Sequence, residues 1–437
     1  MARRRKAREL DRGPRKDGPG KVAVISLHTS PRDQPGTGDS GGMNVYVVEV
    51  ARRLAEQGIA VDIFTRCHGQ GGPEIEEIAP GTRLVQVQAG PCEPVAKEDL
   101  PALLPQFLGG VLAKAAADNP RPHRHAPYDV VHSHYWLSGW VGSRAKEIWG
   151  APLVASFHTL GKVKNAVLPT GDRPEPPVRL AGEEHVVHGA DRILAPTSLE
   201  AAHLVDLYGA DPGRIRVIPP GVDRAVFRPR SKAQARARLH LSNARLLLFV
   251  GRLQPFKGPD VAIRALAEAV ARAPELTRDV ILGVVGGSTG HGSDPDEVTR
   301  LMELAAGIGI AGHVVFFPPQ PHERLVDFYS AAEAVLVPSR SESFGLVALE
   351  AESCGTPVIA AATGGLRSVV VEGQTGFLVQ GHDPKDYADR ILRLLADREL
   401  TRRLGHAATR HAAGFSWEST ATETRQVYQE LLARPSA

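Results

Sequence analysis

The run Ala334-Val-Leu-Val-Pro338, followed by Glu342-Ser-Phe-Gly-Leu-Val-Ala-Leu-Glu350 and closed by Cys354-Gly-Thr-Pro357, decides the fold. A short apolar run rich in valine reads as a buried strand. The stretch Leu346 to Ser353 reads as a helix, stopped by Gly355 and Pro357. Glu342 then sits in the loop leaving the strand, and Glu350 a little over one turn into the helix. Phe344, Gly345 and Leu346 present backbone N–H groups at the helix start, where an anion is favoured. An open α/β sheet binds its ligand in such a place, outside the carboxyl ends of its strands. Two carboxylates beside an anion site suit neutral sugar hydroxyls, which they hold as hydrogen-bond acceptors. The same spacing also suits a pair of helix-capping glutamates.

The pattern around this unit repeats it. From Lys21 onward, short apolar runs alternate with helical patterns, as a parallel α/β sheet requires. Strands are expected at 22–27, 60–65, 84–87, 129–133, 153–157, 192–195 and 216–219, with a helix over 44–57. Pro219-Pro-Gly-Val-Asp223 breaks the pattern, and alternation restarts with strands at 246–250, 280–285, 314–317, 335–337 and 358–361. The fold class is therefore α/β, with two doubly wound, Rossmann-like domains facing a central cleft. The expected boundaries are 21–218 and 219–415, with a final helical segment, 416–437, crossing back to the first domain. A length of 437 residues suits two domains of about 200 each.

Composition excludes other classes. The hydrophobic fraction of 42% and charged fraction of 23% are those of a globular chain, and no apolar run approaches the roughly 18 residues a membrane helix needs. Cys67, Cys92 and Cys354 are widely scattered, without metal-ligand spacing or a disulfide framework, which suits a reducing cytoplasm. Residues 1–20 carry eight Arg or Lys against three Asp or Glu, so they hold +5 of a total of +3 and leave the remainder at −2. Rich in Gly and Pro and poor in core-forming residues, this segment reads as a disordered basic tail rather than a nucleic-acid-binding arm.

Several further groups stand at strand ends. Gly36-Thr-Gly-Asp-Ser-Gly41 matches the dinucleotide fingerprint formally, but it begins too far from its strand, and the acid Asp62 lies inside a strand rather than at its end. A longer glycine loop suits close approach of backbone to a ligand, with Gly41, Gly42 and Asn44 as candidates. Gly251-Arg-Leu-Gln-Pro-Phe-Lys-Gly258 places Arg252 and Lys257 at the mouth of the second sheet, where two cations suit a diphosphate. His132-Ser-His-Tyr-Trp136 and Ser156-Phe-His-Thr159 follow strands of the first half. His158 there is a general base, a hydrogen-bond donor or a core histidine.

With these residues in place, residues 21–433 resemble the retaining GT-B glycosyltransferases of family four. The Glu342/Glu350 spacing and the Gly251–Gly258 loop carry that likeness. His28-Thr-Ser-Pro31, Gly38-Asp-Ser-Gly-Gly-Met-Asn-Val-Tyr46 and Ser156-Phe-His-Thr-Leu-Gly-Lys-Val-Lys-Asn165 resemble the branch that transfers N-acetylglucosamine from UDP-GlcNAc to 1D-myo-inositol 3-phosphate in mycothiol synthesis. The resemblance implies that Arg252 and Lys257 hold the donor diphosphate, Glu350 the ribose and Glu342 the transferred sugar. Phe344, Gly345 and Leu346 add their N–H groups, Gln320 lies against the uracil, and Gln34, Pro35 and Gly42 border the donor from the first domain. Lys97, Tyr135, Thr159 and Arg179 hold the acceptor phosphate. His28 and the loop Asp39, Ser40, Gly41, Gly42, Met43 and Asn44 orient the inositol ring, and His158 sits beside the transferred sugar. His158, Arg252, Lys257 and Glu342 are thus the implied catalytic set. The implied chemistry requires no cofactor, although a peripheral Mg2+ held by Phe328, Tyr329, Ala331 and Thr356 belongs to the resemblance. The implied enzyme is a cytoplasmic homodimer with small-molecule substrates, no nucleic acid and no membrane. Another family-four enzyme, acting like a sucrose-phosphate synthase or a phosphatidylinositol mannosyltransferase, and a UDP-sugar epimerase of the same architecture remain as alternatives.

Overall fold

A computed structural model of the protein describes residues 19–69, 72–118, 126–169, 172–241, 244–287 and 297–433. Most of the basic tail, residues 1–18, lies outside the described residues. In the first half, β1 (Lys21–Ile25), β2 (Ala60–Arg66), β3 (Ile75–Ala79), β4 (Thr82–Val87), β5 (Val130–His134), β6 (Leu153–Ser156), β7 (Arg192–Ala195) and β8 (Ile215–Val217) form one sheet in the order β3-β4-β2-β1-β5-β6-β7-β8. All neighbours pair in parallel except β3 with β4. In the second half, β9 (Arg245–Val250), β10 (Val280–Val285), β11 (Val314–Phe317), β12 (Ala332–Val337), β13 (Val358–Ala361) and β14 (Gly376–Val379) form an all-parallel sheet in the order β11-β10-β9-β12-β13-β14.

The central strands are apolar on both faces because helices cover both faces, as a parallel sheet requires. Leu246, Leu247 and Leu248 of β9 are all fully buried, although they point to alternate sides. The strand order reverses beside β1 in the first sheet and beside β9 in the second, so each sheet opens a crevice at the carboxyl ends of its central strands.

The helix Trp417–Leu432 returns from the second half to the first. The Ser416 side chain caps it, and Trp417, Val427, Tyr428 and Leu431 bury against the helix Gly42–Glu56 and strands β1, β2 and β5. The Tyr428 hydroxyl reaches His132 Nδ1 at 2.7 Å. The outgoing linker and this returning segment lie against each other: Val222 N–H donates to the Phe415 carbonyl at 3.3 Å, and Thr420 Oγ1 to the Pro219 carbonyl at 2.7 Å.

Four features differ from the sequence reading. Strand β3, Ile-Glu-Glu-Ile-Ala, is a half-exposed antiparallel edge whose charge hides it from an apolar-run search. Strand β14 is only four residues long and lies behind a Gly-Gln-Thr-Gly turn. Cys67 and Cys92 are joined as a disulfide, with Cα atoms 5.1 Å apart, because they follow the neighbouring strands β2 and β4. Finally, one stretch among the described residues, Leu100–Ala117, is long and apolar enough to cross a membrane by length and composition. Its large side chains Leu104, Phe107 and Val111 belong to the first domain's core, and its exposed positions are mainly Ala, Gly, Pro and Gln.

Candidate functional site

The parallel pairing of β9 with β12 brings the loops that leave them side by side. Lys257, after β9, places Nζ 2.6 Å from Glu342 Oε2, after β12, and Ser339 Oγ donates to the same oxygen at 3.3 Å. The Glu342 turn is backed by Gly364 and Gly365 after β13. Gly365 N–H donates to the Glu342 carbonyl at 2.9 Å, while a Cβ on Gly364 would stand 1.8 Å from that oxygen. The Gly364 φ of +49° also favours glycine. Gly345, with φ 108°, caps the helix Leu346–Ser353 and leaves its first N–H groups facing the cleft. Arg252 reaches across to Asp39 of the first domain at 3.9 Å, and burial lowers its pKa.

On the opposite wall, Arg179 is almost wholly buried, on the helix Pro177–Gly189. Its Nε donates to Glu183 at 2.7 Å, Nη1 lies 2.8 Å from Glu175, and Nη2 donates to Thr159 Oγ1 at 2.9 Å. Two cations approach the Tyr135 ring: Lys97 Nζ is 4.7 Å from its centroid and the Arg179 guanidinium 5.1 Å. Tyr135 and His158 follow β5 and β6 with φ of 73° and 61°, unusual for non-glycine residues. Such strain concentrates at functional sites.

The histidines form a buried column. Ring centroids of His132 and His134 are 4.3 Å apart, and those of His134 and His158 5.1 Å. His134 Nδ1 and His158 Nε2 are 2.8 Å apart, and His132 Nε2 meets Ser156 Oγ at 3.0 Å. Burial drives the pKa of both His132 and His158 down to about 3, and burial aided by the Lys97 charge also lowers that of His28. These imidazoles are neutral near pH 7. His28 stacks on Tyr135 at 4.4 Å, and its buried Nδ1 has no protein partner.

Both walls face one cavity of about 280 Å³. Of the residues singled out from sequence, His28, Asp39, Gly41, Gly42, Met43, Lys97, Tyr135, His158, Thr159, Arg179, Arg252, Lys257, Glu342, Phe344, Gly345 and Leu346 line it. Others do not. Ser40 donates to the Asp33 carbonyl at 3.1 Å, and the Asn44 amide donates to Thr29 Oγ1 at 2.8 Å and the Ser30 carbonyl at 2.7 Å, so both brace the loop instead of facing the cavity. Gln34 and Gln320 meet each other directly, Gln34 Nε2 donating to the Gln320 carbonyl at 2.8 Å, with Pro35 beside them. Glu350 is buried, accepts from the Tyr329 hydroxyl at 2.7 Å and has its pKa raised by burial. The sequence reading missed Lys164 and Phe256, which also line the cavity, and Ser343, whose hydroxyl donates across the cleft to the His158 carbonyl.

The four residues considered for Mg2+ do not fit a cation as they stand. The Tyr329 carbonyl accepts from Thr356 Oγ1 at 2.6 Å, the Ala331 carbonyl accepts from the Arg236 guanidinium at 3.1 Å, and Phe328 is a buried core side chain. A guanidinium on one of the donor oxygens repels a second positive charge. Among the described residues no cluster of three His, Cys, Asp or Glu could hold a metal ion.

Comparisons with known proteins identify the family and the fold. The family described as glycosyl transferases group 1 matches residues 231–411, and the glycosyl transferase 4-like domain matches residues 41–221. D-inositol 3-phosphate glycosyltransferase 2 of Catenulispora acidiphila is 53% identical over 415 residues, covering 95% of this chain and 96% of its own. D-inositol 3-phosphate glycosyltransferase of Thermobispora bispora is 52% identical, covering 95% of each chain. Among solved structures, sucrose-phosphate synthase from Thermosynechococcus elongatus superposes with a TM-score of 0.85 at 35% identity, covering 94% of this chain and 99% of that one. The two-domain architecture is the GT-B fold of such enzymes.

Proposed function

The chain belongs to the D-inositol 3-phosphate glycosyltransferases, and from that membership we propose that it transfers N-acetylglucosamine from UDP-GlcNAc to 1D-myo-inositol 3-phosphate with retention, as the first step of mycothiol synthesis. One observation carries the reading. Arg252, Lys257 and Glu342 of one domain and Lys97, Tyr135, Thr159 and Arg179 of the other line a single cavity. A nucleotide diphosphate at the first set and a phosphate monoester at the second bring donor and acceptor together. Residues 21–218 then form the acceptor half and 219–415 the donor half, with 416–437 crossing back.

In this reading Arg252, Lys257 and the N–H groups at Gly345 and Leu346 hold the diphosphate. Glu342, oriented by Lys257 and Ser339, accepts from the sugar hydroxyls. Glu350 turns from Tyr329 to the ribose, and Gln34 and Gln320 close over the base. His158 is too weak a base at a pKa of about 3 to take the acceptor's proton, so it serves as a neutral hydrogen-bonding group beside the sugar. The acceptor hydroxyl oxygen attacks the anomeric carbon from the side the phosphate leaves. The anomeric C–O bond breaks, and the hydroxyl proton passes to the departing β-phosphate oxygen. Arg252, Lys257 and the helix start stabilise the charge that develops there. No step runs through a metal.

A screen of sugar nucleotides against inositol phosphates, with product analysis, tests the reading. UDP release and an α-linked GlcNAc-inositol phosphate are expected. No UDP release from that pair sinks the assignment while leaving the fold untouched.

A further inference from the structure

Lys164 lines the cavity and takes no part in the chemistry above. It lies on the short helix Gly161–Ala166, just after the turn that carries His158 and Thr159. Its Nζ pairs with Glu175 and sits 4.6 Å from the centroid of the Phe256 ring. Phe256 belongs to the other domain, in the loop between Arg252 and Lys257. Lys164 therefore touches both walls.

The charges at this end of the cavity make its presence decisive. Glu183 is fully buried and engaged by Arg179 Nε, the Gly161 N–H and the Tyr208 hydroxyl. Glu175 is held by Arg179 Nη1 and Lys164; burial pushes its pKa up, but the two cations outweigh burial and keep the carboxylate ionised. Arg179 holds both carboxylates while Lys97 stands over the Tyr135 ring, and by formal charge Lys97, Arg179, Glu175 and Glu183 sum to zero. A phosphate monoester carries about −1.5 to −2 near pH 7. Lys164 supplies the surplus positive charge that would draw it in. Burial lowers the Lys164 pKa against the upward pull of Glu175, and Arg179 and Lys97 add a smaller lowering; three cations share one pocket, and a bound dianion would relieve them.

We propose that Lys164 is a further acceptor-phosphate-binding residue, seated by Glu175 and by Phe256 from across the cleft, so that the phosphate site is complete only when the two domains meet. The proposal rests on the reading of a phosphorylated acceptor.

The experiment uses the full chain with Lys164→Met and Lys164→Arg. Steady-state kinetics read KM for 1D-myo-inositol 3-phosphate and for UDP-GlcNAc separately. Calorimetry with UDP present reads the binding of inorganic phosphate. Loss of one charged hydrogen bond predicts an acceptor KM raised about tenfold or more in Lys164→Met, with the donor KM near wild type. Phosphate binding should weaken by a similar factor, and Lys164→Arg should recover most of both. An acceptor KM unchanged while thermal stability falls makes the lysine only a structural ion pair and overturns the proposal. So does an equal rise in both KM values. A wild-type enzyme inactive on inositol 3-phosphate overturns the functional reading instead. In that event the calorimetry still decides: weaker phosphate binding in Lys164→Met supports the role, and equal binding ends it.

Discussion

Lys257 and Glu342 show how one contact can order a donor site before any donor arrives. The 2.6 Å pair holds the carboxylate proposed to accept sugar hydroxyls, and it parks the ammonium where the proposed diphosphate would lie. A half-buried pair of this kind adds little stability by itself, since desolvation offsets much of the attraction. Its worth lies in transition-state charge. When the anomeric bond breaks, negative charge moves onto the β-phosphate, and a cation already in place meets it without reorganisation. Lys257→Ala is therefore expected to lower kcat by about 10² to 10³-fold, the range for losing one such group. The acceptor KM should change little, because the acceptor's proposed partners lie on the other domain. Initial-rate kinetics with each substrate varied check this, and a change confined to acceptor binding would overturn the role.

The two chain crossings between the domains form the next larger unit. The linker after Ile218 runs beside the segment that enters the helix Trp417–Leu432, and a Cβ on Gly221 would stand 2.1 Å from the Trp417 nitrogen and 2.2 Å from the Ser416 carbonyl carbon. These are backbone atoms at a helix cap, so they cannot step aside as a flexible side chain would. Gly221→Ala should destabilise the protein by about 1–3 kcal/mol, the cost of overpacking, and loosen the returning helix. Chemical denaturation monitored through tryptophan fluorescence measures the first, and proteolysis near residue 417 the second. The same junction shows what sequence can and cannot reveal. Pro219-Pro-Gly221 marked a break through local conformational preference, and the strands 280–285, 314–317 and 358–361 showed themselves as apolar runs of the observed length. Glu342 was legible as a cavity residue because it stands at the turn of one strand-turn-helix unit, whereas Glu350 of the same unit lies buried against Tyr329, off the cavity. Lys97, Tyr135, Thr159 and Arg179 were reachable only through family resemblance, since four loops and helices meet there and no spacing joins them. Lys164, Glu175 and Phe256 escaped both routes: their roles arise from charge matching and from the approach of two domains. The Cys67–Cys92 pairing was hidden for the same reason, as strand adjacency rather than spacing brings the two together.

At the scale of the molecule, hydrogen bonds tie the domains across the cleft. Gly287 N–H donates to the Gly36 carbonyl at 3.1 Å, Gln34 to Gln320, and Ser343 to the His158 carbonyl. Glu200 stands at that last contact, 6% exposed, with Oε1 lacking any protein partner. Burial raises its pKa to about 8 and Glu183 adds to the rise, while a bond with Ser343 offsets part of it. Ser343 Oγ gives its own hydrogen to the His158 carbonyl and Oε1 has no protein partner, so burial prevails and the carboxyl keeps its proton. The native protein thus holds a proton that the unfolded chain, with an ordinary value of 4.5, releases. Between 4.5 and about 8 the folded state binds more protons, so this contribution is full below 4.5 and is lost as pH rises through about 8. Glu200→Gln keeps the shape and removes the titration. Its stability relative to wild type should climb by about 1.4 kcal/mol per pH unit across that window, a few kcal/mol in all. Titrating groups remote from Glu200 are common to both proteins and cancel in the difference. Denaturation of the pair at pH 5 and pH 9 reads it: a gap that widens in favour of Glu200→Gln at the higher pH is expected, and a gap independent of pH means that Glu200 holds no such proton at the seam.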